Sequence, residues 1–355
     1  MERRAPVPPD QVEVKDSSLS DQVKARLVSK RKPVPTVGSS DVVSTGSTLL
    51  DLAISGSRFD RGGIPGGVMV EIFGPSGSGK TVMLCELAGA VQRSGGEVMF
   101  SDPEGRLNAQ FAKLFDFKVE NALYGMPNTV TELFGPIRKW EPKAKGISAV
   151  FADSLAALST AMELNDSDKY GMRRAKEFSE ECRKVCRVLT QRNILLVCSN
   201  QVRQNLDAGL YGEKFKSPGG EAIGFYSSLR LRCHSPRKIT RERDVGKGKQ
   251  KRVVGVETVV DVYKSSIDVP FRSAPVCIIY EYGIDDVRAN LEYVKSSTSS
   301  TVYVVGDKKV GQSLDRAIRT VEDDGLEEAL REQTAQVWRE VEEKFKVVRA
   351  AKRRL

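Results

Sequence analysis

Histidine is almost absent from this sequence. Among 355 residues only His234 is a histidine, and the six cysteines lie far apart except for Cys182 and Cys186, which are four positions apart. Zinc sites need clustered cysteine and histidine ligands, and this inventory does not assemble one. Because a reduced cysteine behaves as a small apolar side chain, we expect Cys182 and Cys186 to pack on the buried face of a helix.

Long apolar runs and a secretory leader are also missing. No stretch approaches the roughly 18 consecutive apolar residues of a membrane-spanning helix, and residues 1–4 (Met-Glu-Arg-Arg) are followed by prolines. We therefore expect a cytoplasmic protein that does not enter a membrane and forms no disulfides. The formal net charge of +9 favours a polyanionic partner, although many basic proteins bind none.

One stretch carries the strongest chemical signal. It is a glycine-rich turn between an apolar run at 68–73, predicted to be a strand, and a predicted helix at 82–91: Gly74-Pro75-Ser76-Gly77-Ser78-Gly79-Lys80-Thr81. Glycines allow the backbone to turn its N–H groups toward phosphate oxygens at the positive end of the helix. Lys80 would then reach the outer phosphates of ATP and Thr81 would bind Mg²⁺. The alternative is an ordinary glycine turn with a chance lysine.

Strands and helices then alternate along the chain. Predicted strands at 97–102, 146–153 and 194–201 are separated by predicted helices at 107–115 and 169–191. Apolar strand interiors of this kind are typical of a mainly parallel sheet that is covered on both faces. Ligands of such sheets bind beyond the carboxyl ends of the strands. Four polar residues fall at or just past such ends: Thr81, Glu104, Asp153 and Gln201.

Each of these polar residues has a chemical role and a plainer alternative. Asp153 fits the second carboxylate that holds Mg²⁺ in a phosphate-loop ATPase, or it caps the segment that follows. Glu104 could orient the attacking water, or it is a solvated acid in a turn. The amide of Gln201 could donate to the γ-phosphate, so that loss of this phosphate is felt by the next segment.

The two ends of the chain differ from its centre. Residues 1–17 are predicted to be a disordered arm, and 18–32 a short basic amphipathic helix. Beyond residue 217 short alternating runs at 228–232, 255–264 and 276–280 are predicted to be antiparallel strands. Residues 237–252, with eight lysines or arginines and two acids, are predicted to form a flexible hairpin tip, and 301–345 a small domain with a strand, a turn and two helices.

Six motifs in this order resemble the bacterial RecA recombinase family. They are Ser44-Thr45-Gly46-Ser47, the phosphate loop at 74–81, Asp102-Pro103-Glu104, the segment 152–158, Asn200-Gln201-Val202-Arg203 and the segment 219–230. The resemblance runs from about residue 44 nearly to the end of the chain. It implies an α/β fold: a RecA-like phosphate-loop ATPase core with a mainly parallel central sheet, a short N-terminal helical arm and a small α+β C-terminal domain. The corresponding segments are 1–43, 44–290 and 291–355.

The resemblance also implies a function. The expected protein is a DNA-dependent ATPase that forms a helical filament on single-stranded DNA and exchanges strands with homologous double-stranded DNA. Glu104 then matches the glutamate that activates water, Gln201 the γ-phosphate sensor, and Phe111 the aromatic residue that stacks on adenine. Lys264 matches one of two lysines that reach ATP across the subunit interface, whereas the second position is Ser266.

The resemblance further implies that DNA is bound by two loops, at about 163–170 and 202–221, and by the helix after the first loop. The glycines of the second loop allow N–H groups to face phosphates, and its aromatic residues could stack on bases or pack in the core. Lys176 and Arg183 match DNA-contacting positions of the family if one residue is inserted near Arg173. A solvated basic helix face is the alternative. The residues assigned to DNA are Arg173, Arg174, Lys176, Arg183, Arg203, Gly219 and Gly220.

The sequence leaves two other functions open. One is a ring-forming helicase or translocase built on the same core, which the glycine pair of the second loop and the C-terminal segment disfavour. The other is an accessory protein that binds filaments under the control of ATP without hydrolysing it. Glu104 argues against the second, because such a protein has no need for a carboxylate that activates water.

Overall fold

A computed structural model describes residues 41–160, 170–204, 215–216, 221–246 and 248–349. The chain divides into two units at the junction of Thr36 and Val37, and every described residue belongs to the second. The predicted arm at 1–17 and the predicted helix at 18–32 lie outside the described residues. Within the described ranges, no helix combines the length and the apolar character needed to cross a membrane.

The strands are numbered here in chain order. They are β1 (Val42–Val43), β2 (Ile64–Pro65), β3 (Met69–Gly74), β4 (Val98–Ser101), β5 (Leu123–Gly125), β6 (Ser148–Ala152), β7 (Ile194–Gln201), β8 (Arg203–Gln204), β9 (Phe215–Lys216), β10 (Leu229–Cys233), β11 (Arg237–Asp244), β12 (Lys249–Ser265), β13 (Ser273–Ile279), β14 (Gly283–Ile284), β15 (Tyr303–Val305) and β16 (Lys308–Gly311).

The α-helices are numbered in the same way. They are α1 (Thr48–Ser55), α2 (Lys80–Arg93), α3 (Ala109–Lys113), α4 (Val130–Lys139), α5 (Tyr170–Arg192), α6 (Glu221–Tyr226), α7 (Asp286–Ser297), α8 (Leu314–Asp323) and α9 (Glu327–Phe345). Short 3₁₀ helices span Val119–Asn121 and Leu155–Ala157.

A ten-stranded sheet organises the fold. Its order is β14-β13-β12-β10-β3-β7-β6-β4-β5, with β11 paired to the outer part of β12. All neighbours from β10 to β5 are parallel, and the strands from β12 to β14 are antiparallel. The central strands are apolar along most of their length because both faces of the sheet are covered. The predicted mainly parallel sheet is therefore confirmed.

Two apolar clusters cover the two faces of this sheet. One contains α2, with Met83, Leu84 and Leu87 packed against β3 and β4. The other contains α4 and α5, with Phe134 and Phe178 in edge-to-face contact at 6.3 Å. Cys182 belongs to this second cluster and Cys186 packs against it, so their predicted packing on a helix face is confirmed.

Strand β10 corrects part of the sequence prediction. The run at 228–232 was expected to be antiparallel to its neighbours, but β10 is parallel to β3, with Leu229 opposite Val70, and antiparallel only to β12. Parallel neighbours need a crossover connection. Here the chain leaves β7 and returns through α6, a helix of only six residues, and a helix this short leaves little periodicity in the sequence.

The basic hairpin is also more regular than expected. Residues 237–244 and 249–257 form an extended antiparallel ladder, from Arg237 opposite Glu257 to Asp244 opposite Lys249. A single register shift, between Ile239 and Thr240, interrupts it. The hairpin itself was predicted; its extended ladder was not, because the charged sequence lacks the apolar alternation that usually marks a strand.

The last part of the chain contains the predicted strand, turn and two helices. Strands β15 and β16 pair, and α8 and α9 pack with them around Val310, Ala317 and Leu330. Helix α7 contributes to the same cluster, and Trp338 of α9 packs on Leu52 of α1. The division of the chain at residues 43 and 290 stays a prediction.

Candidate nucleotide-binding site

The phosphate loop joins the end of β3 to the start of α2. Gly77 and Gly79 have φ angles of 75° and 85°, a region that L side chains rarely adopt. A Cβ on Gly79 would also lie 2.2 Å from Cδ1 of Ile278, whereas a Cβ on Gly77 would meet nothing within 4 Å. Two separate reasons therefore favour glycine at position 79: its positive φ angle, and the lack of space for a Cβ beside Ile278 of β13.

Lys80 is the first residue of α2 and is buried. Its Nζ donates to the carbonyl oxygens of Gly74 at 3.1 Å and Pro75 at 2.8 Å, and so stays against the loop. Burial lowers the pKa of Lys80, and the negative charges of Asp153 and Glu104 act in the opposite direction. An anionic ligand in the loop would supply the negative charge that this ammonium group lacks.

Asp153 lies just beyond β6 and is held from two sides. The Oγ1 atom of Thr81 donates to its Oδ2 at 2.6 Å, and the hydroxyl of Ser199 in β7 donates to its Oδ1. The 3₁₀ helix at Leu155–Ala157 has Ser154 at its N-cap position with no side-chain cap hydrogen bond. The carboxylate of Asp153 thus faces the phosphate loop and does not cap the segment that follows.

Glu104 lies across the same space. One carboxylate oxygen accepts a hydrogen bond from Ser154 Oγ at 2.8 Å, and the other lies 2.6 Å from the guanidinium of Arg106. Asp102, two positions earlier, is buried. It accepts hydrogen bonds from the backbone N of Leu107 at 2.7 Å and from the hydroxyl of Tyr124 at 3.0 Å. Of these two acids, only Glu104 lines the same cavity as the phosphate loop.

A cavity of about 520 Å³ joins these groups, and ligand pockets of roughly 300–1,000 Å³ are usual for small molecules. The residues on its wall that the sequence singled out are Ser76, Gly77, Gly79, Lys80, Thr81, Glu104, Phe111, Asp153 and Gln201. Phe111 is half-buried there and stands edge-on to Phe115, with ring centroids 5.0 Å apart. Residues from six elements or turns thus surround one space.

Another part of the cavity wall is not indicated by any sequence motif. It is formed by β12, β13 and the turn into β14, where Val256, Ile278, Tyr280 and Gly283 line the cavity. These residues have the composition of ordinary strands and turns, so the sequence carries no signal for them. Arg106 was missed as well, although it lies two positions after Glu104.

The residues assigned to DNA are only partly described. On α5, Lys176 and Arg183 are exposed and lie seven positions apart, which places them on one helix face. Arg174 donates to the carbonyl oxygens of Leu155 at 2.9 Å and Ala156 at 2.8 Å, so it ties α5 to the segment after Asp153. The backbones of Arg173 and Arg203 lie in α5 and β8. Gly219, Gly220 and most of both predicted loops lie outside the described residues, and contact with DNA stays a prediction for all of these positions.

Lys264 lies away from the cavity of its own chain. Its Nζ donates to the carbonyl oxygens of Gly224 and Phe225, both at 2.9 Å, at the end of α6. Burial lowers its pKa, and the nearby Arg230 lowers it further. Its predicted role concerns the nucleotide site of a neighbouring subunit and stays a prediction.

A mainly parallel sheet with a phosphate loop at its carboxyl edge, widened by antiparallel strands that close the site, is a RecA-like phosphate-loop ATPase core. The RecA N-terminal domain family matches residues 25–285. Protein RecA of Methylococcus capsulatus is 31% identical over 307 residues, which cover 84% of each chain. Protein RecA of Helicobacter pylori (strain P12) is 32% identical over 292 residues, 80% of each chain. Protein RecA of Acholeplasma laidlawii is 29% identical over 294 residues, 80% of this chain and 83% of the relative.

The chain therefore belongs to the RecA family, and the resemblance drawn from its motifs is confirmed. At the level of the family, membership supports ATP binding, DNA-dependent ATPase activity and a role in DNA recombination and repair.

Proposed function

We propose that this protein is a DNA-dependent ATPase that forms ATP-bound filaments on single-stranded DNA and catalyses pairing and strand exchange with homologous double-stranded DNA. The observation that carries the proposal is the arrangement of Lys80, Thr81, Glu104, Asp153 and Gln201 around one cavity in a member of the RecA family. A nucleotide that fills this cavity would meet all five of these side chains.

The phosphate loop binds the triphosphate in this proposal. Backbone N–H groups of 74–81 surround the phosphates at the start of α2, and Lys80 exchanges its carbonyl partners for the outer phosphate oxygens. The adenine stacks on Phe111 at the far end of the cavity. Together these contacts orient the γ-phosphate toward the carboxyl ends of the strands.

Thr81 and Asp153 suit Mg²⁺ because both offer oxygen ligands and already lie in contact at 2.6 Å. The bound ion would neutralise charge on the phosphates. Ser199 holds the second oxygen of Asp153 and so fixes the orientation of the carboxylate.

Glu104 orients the attacking water and accepts its proton. Its carboxylate lies on the cavity wall, and Ser154 and Arg106 fix its direction. A carboxylate in hydrogen-bond reach of the water contributes about 10²–10⁴-fold to the rate of such reactions.

Gln201 connects the nucleotide to DNA. It is the last residue of β7, lines the cavity, and stands two positions before Arg203. An amide that donates to the γ-phosphate in the ATP state and loses this partner after hydrolysis would change the position of the following loop. DNA held by that loop and by the exposed face of α5 would in turn favour the ATP-bound arrangement.

Assembly into a filament places Lys264 of one subunit near the nucleotide of the next. Since Ser266 stands where the second cation is expected, one lysine supplies the charge across this interface. We therefore expect ATP to strengthen assembly less than it does in a protein with two cations.

The test is the ATPase rate with and without single-stranded DNA. Wild-type protein should be stimulated by DNA, Lys80→Ala should neither bind ATP nor respond, and Glu104→Gln should bind ATP, turn over about 100-fold more slowly and remain on DNA. The matched control is Glu120→Gln, the same change at an exposed position of the 3₁₀ helix Val119–Asn121. An identical rate of hydrolysis with and without DNA, in protein that stays unassembled, would exclude the proposal.

A further inference from the structure

The loop between β4 and α3 carries an arginine to the nucleotide cavity. Its backbone is tied to the buried Asp102: the amide of Gly105 donates to the carbonyl oxygen at 3.1 Å, and the amide of Leu107 donates to the carboxylate at 2.7 Å. These two hydrogen bonds fix the chain on either side of Arg106. The side chain of Arg106 lines the cavity and is 76% exposed.

Fold stability does not explain this arginine. Its Nη1 lies 2.6 Å from Oε2 of Glu104, and among the described residues Glu104 is its only ionic partner. An ion pair with so exposed a cation contributes little to stability, because water screens it. Glu104 does not depend on this contact alone, since its other oxygen accepts from Ser154. Arg106 is therefore available for a task in the cavity itself.

The charges of the cavity wall favour a second cation. Three carboxylates on the described wall, Glu104, Asp153 and Glu281, stand against two cations, Lys80 and Arg106. A triphosphate remains an anion even with one bound Mg²⁺, and nearby carboxylates oppose its entry. Removing Arg106 would leave Lys80 as the one cation of the described wall against three acids.

The two cations differ in how they are held. Lys80 is buried in the phosphate loop, where its Nζ donates to two carbonyl oxygens. Arg106 has a planar guanidinium with five N–H donors. Its Nη1 faces Glu104, and in the part of the chain that the structure describes no hydrogen-bond partner occupies its Nε or Nη2. One guanidinium can thus hold the carboxylate at one edge and a phosphate oxygen at another.

We propose that Arg106 is a catalytic residue that donates to the γ-phosphate of the ATP bound in its own chain. Its guanidinium stabilises the negative charge on the phosphate oxygens during hydrolysis and keeps Glu104 directed at the same phosphate. The inference deepens the proposed function and rests on it, because it takes Glu104 to be the residue that activates water.

The reaction explains why one group should hold both partners. The water oxygen forms a bond to the γ-phosphorus, the bond from this phosphorus to the bridging oxygen breaks, and its electron pair stays on ADP. Glu104 takes the proton that the water loses. The attacking water therefore lies between the carboxylate and the γ-phosphate, and a cation that contacts both fixes the distance between them.

The first test compares Arg106→Gln with wild type in nucleotide binding and in hydrolysis. Titration with the non-hydrolysable analogue AMP-PNP should show at least a ten-fold loss of affinity, whereas affinity for ADP should stay within three-fold, since ADP has no γ-phosphate. The kcat should fall about 10²-fold. Arg106→Lys should recover part of both losses because it keeps the charge without the planar fork.

The control is Lys113→Gln, which removes one positive charge from an exposed position of α3 that does not line the cavity. Its affinities for both nucleotides and its kcat should stay within two-fold of wild type. Thermal melting of all variants establishes that they are folded.

A second test separates direct contact with the phosphate from a role that acts only through Glu104. Arg106→Gln is introduced into Glu104→Gln, where the carboxylate is already gone. A direct contact predicts that the ten-fold loss for AMP-PNP relative to ADP persists in the double variant. If Arg106 served only to orient Glu104, the loss would disappear in that background.

Four results would overturn the proposal: no loss in Arg106→Gln, equal losses for AMP-PNP and ADP, a loss as large in Lys113→Gln, or a loss that vanishes without Glu104. Wild-type protein that does not prefer AMP-PNP to ADP would overturn it too, if Arg106→Gln showed the same ratio. Failure of the proposed function would appear differently, as hydrolysis by wild-type protein that no single-stranded DNA stimulates, with its nucleotide affinities unaffected.

Discussion

The guanidinium of Arg230 donates to Glu71 at a distance of 2.7 Å, and Glu71 is fully buried in the central sheet. The same carboxylate accepts from Asn200 Nδ2 at 3.0 Å, one position before Gln201. Arg230 also lies over the rings of Phe73 and Tyr263, at 4.6 and 5.2 Å from their centroids. The ion pair and its Asn200 partner thus connect β3, β7 and β10.

Removing one partner of this pair should destabilise the protein strongly. Arg230→Met leaves the Glu71 carboxylate buried without its cation, a change that typically costs about 3–5 kcal/mol. Glu71→Gln/Arg230→Met removes both charges and should recover part of this loss. Urea unfolding of the two variants and wild type measures the difference; a double variant less stable than Arg230→Met would contradict the interpretation.

The contact between the phosphate loop and β13 predicts a rescue. Gly79→Ala places a Cβ 2.2 Å from Ile278 Cδ1 and should weaken ATP binding at least ten-fold, and Ile278→Val, which removes that atom, should restore part of the affinity. Gly77→Ala is the control, since it meets no neighbour and pays only the conformational cost of about 1–2 kcal/mol. Equal losses of ATP affinity in the two alanine variants, with no recovery on adding Ile278→Val, would show that the backbone conformation alone accounts for the effect.

The hydroxyl groups around Asp153 should differ in effect. Thr81→Val removes a proposed Mg²⁺ ligand and should lower the ATPase rate at every Mg²⁺ concentration, whereas Ser199→Ala should raise the Mg²⁺ concentration for half-maximal rate about ten-fold. Ser148→Ala is the control, because that buried serine lies at the opposite end of β6 and bonds the backbone of Glu97 at 3.0 Å. A Mg²⁺ titration of the ATPase rate in all three variants distinguishes the roles of these hydroxyl groups. Identical curves for Ser199→Ala and Ser148→Ala would contradict the role assigned to Ser199.

Asp51 should make the stability of the fold depend on pH. Burial raises the pKa of Asp51 to about 7, although Thr45 N and Thr45 Oγ1 donate to it at 2.8 and 2.7 Å and act in the opposite direction. Between about pH 4 and pH 7 the unfolded chain ionises this group while the folded chain keeps it protonated. Its contribution to stability is therefore complete at low pH and is lost as the pH rises toward 7.

The measurement is urea unfolding of wild type and Asp51→Asn at pH 5 and pH 7. The stability of wild type relative to Asp51→Asn should fall by about 2 kcal/mol over this interval, since one pKa unit corresponds to about 1.4 kcal/mol. A constant difference between the two proteins would mean that Asp51 is ionised in the folded state at both pH values.

The amino-acid sequence alone determined the parts of this protein that depend on neighbours in the chain. The phosphate loop is a continuous segment, so Gly74 to Thr81 could be recognised together with the strand and helix on either side. Glu104, Asp153 and Gln201 could be placed near it because the carboxyl ends of parallel strands meet at one edge. The apolar residues along each central strand also indicate that both of its faces are buried.

Tertiary structure decided what depends on residues that are distant in sequence. Arg230 and Glu71 are separated by 159 positions, and nothing in the sequence around either residue shows that their side chains are in contact. The direction of β10, the cavity wall at Ile278 and Tyr280, and the clash that requires glycine at position 79 all follow from which strands lie side by side. The pairing of Arg241 with Arg252 and of Glu242 with Lys251 in the β11–β12 hairpin likewise became visible only with its register, because one residue of slip would change every cross-strand partner.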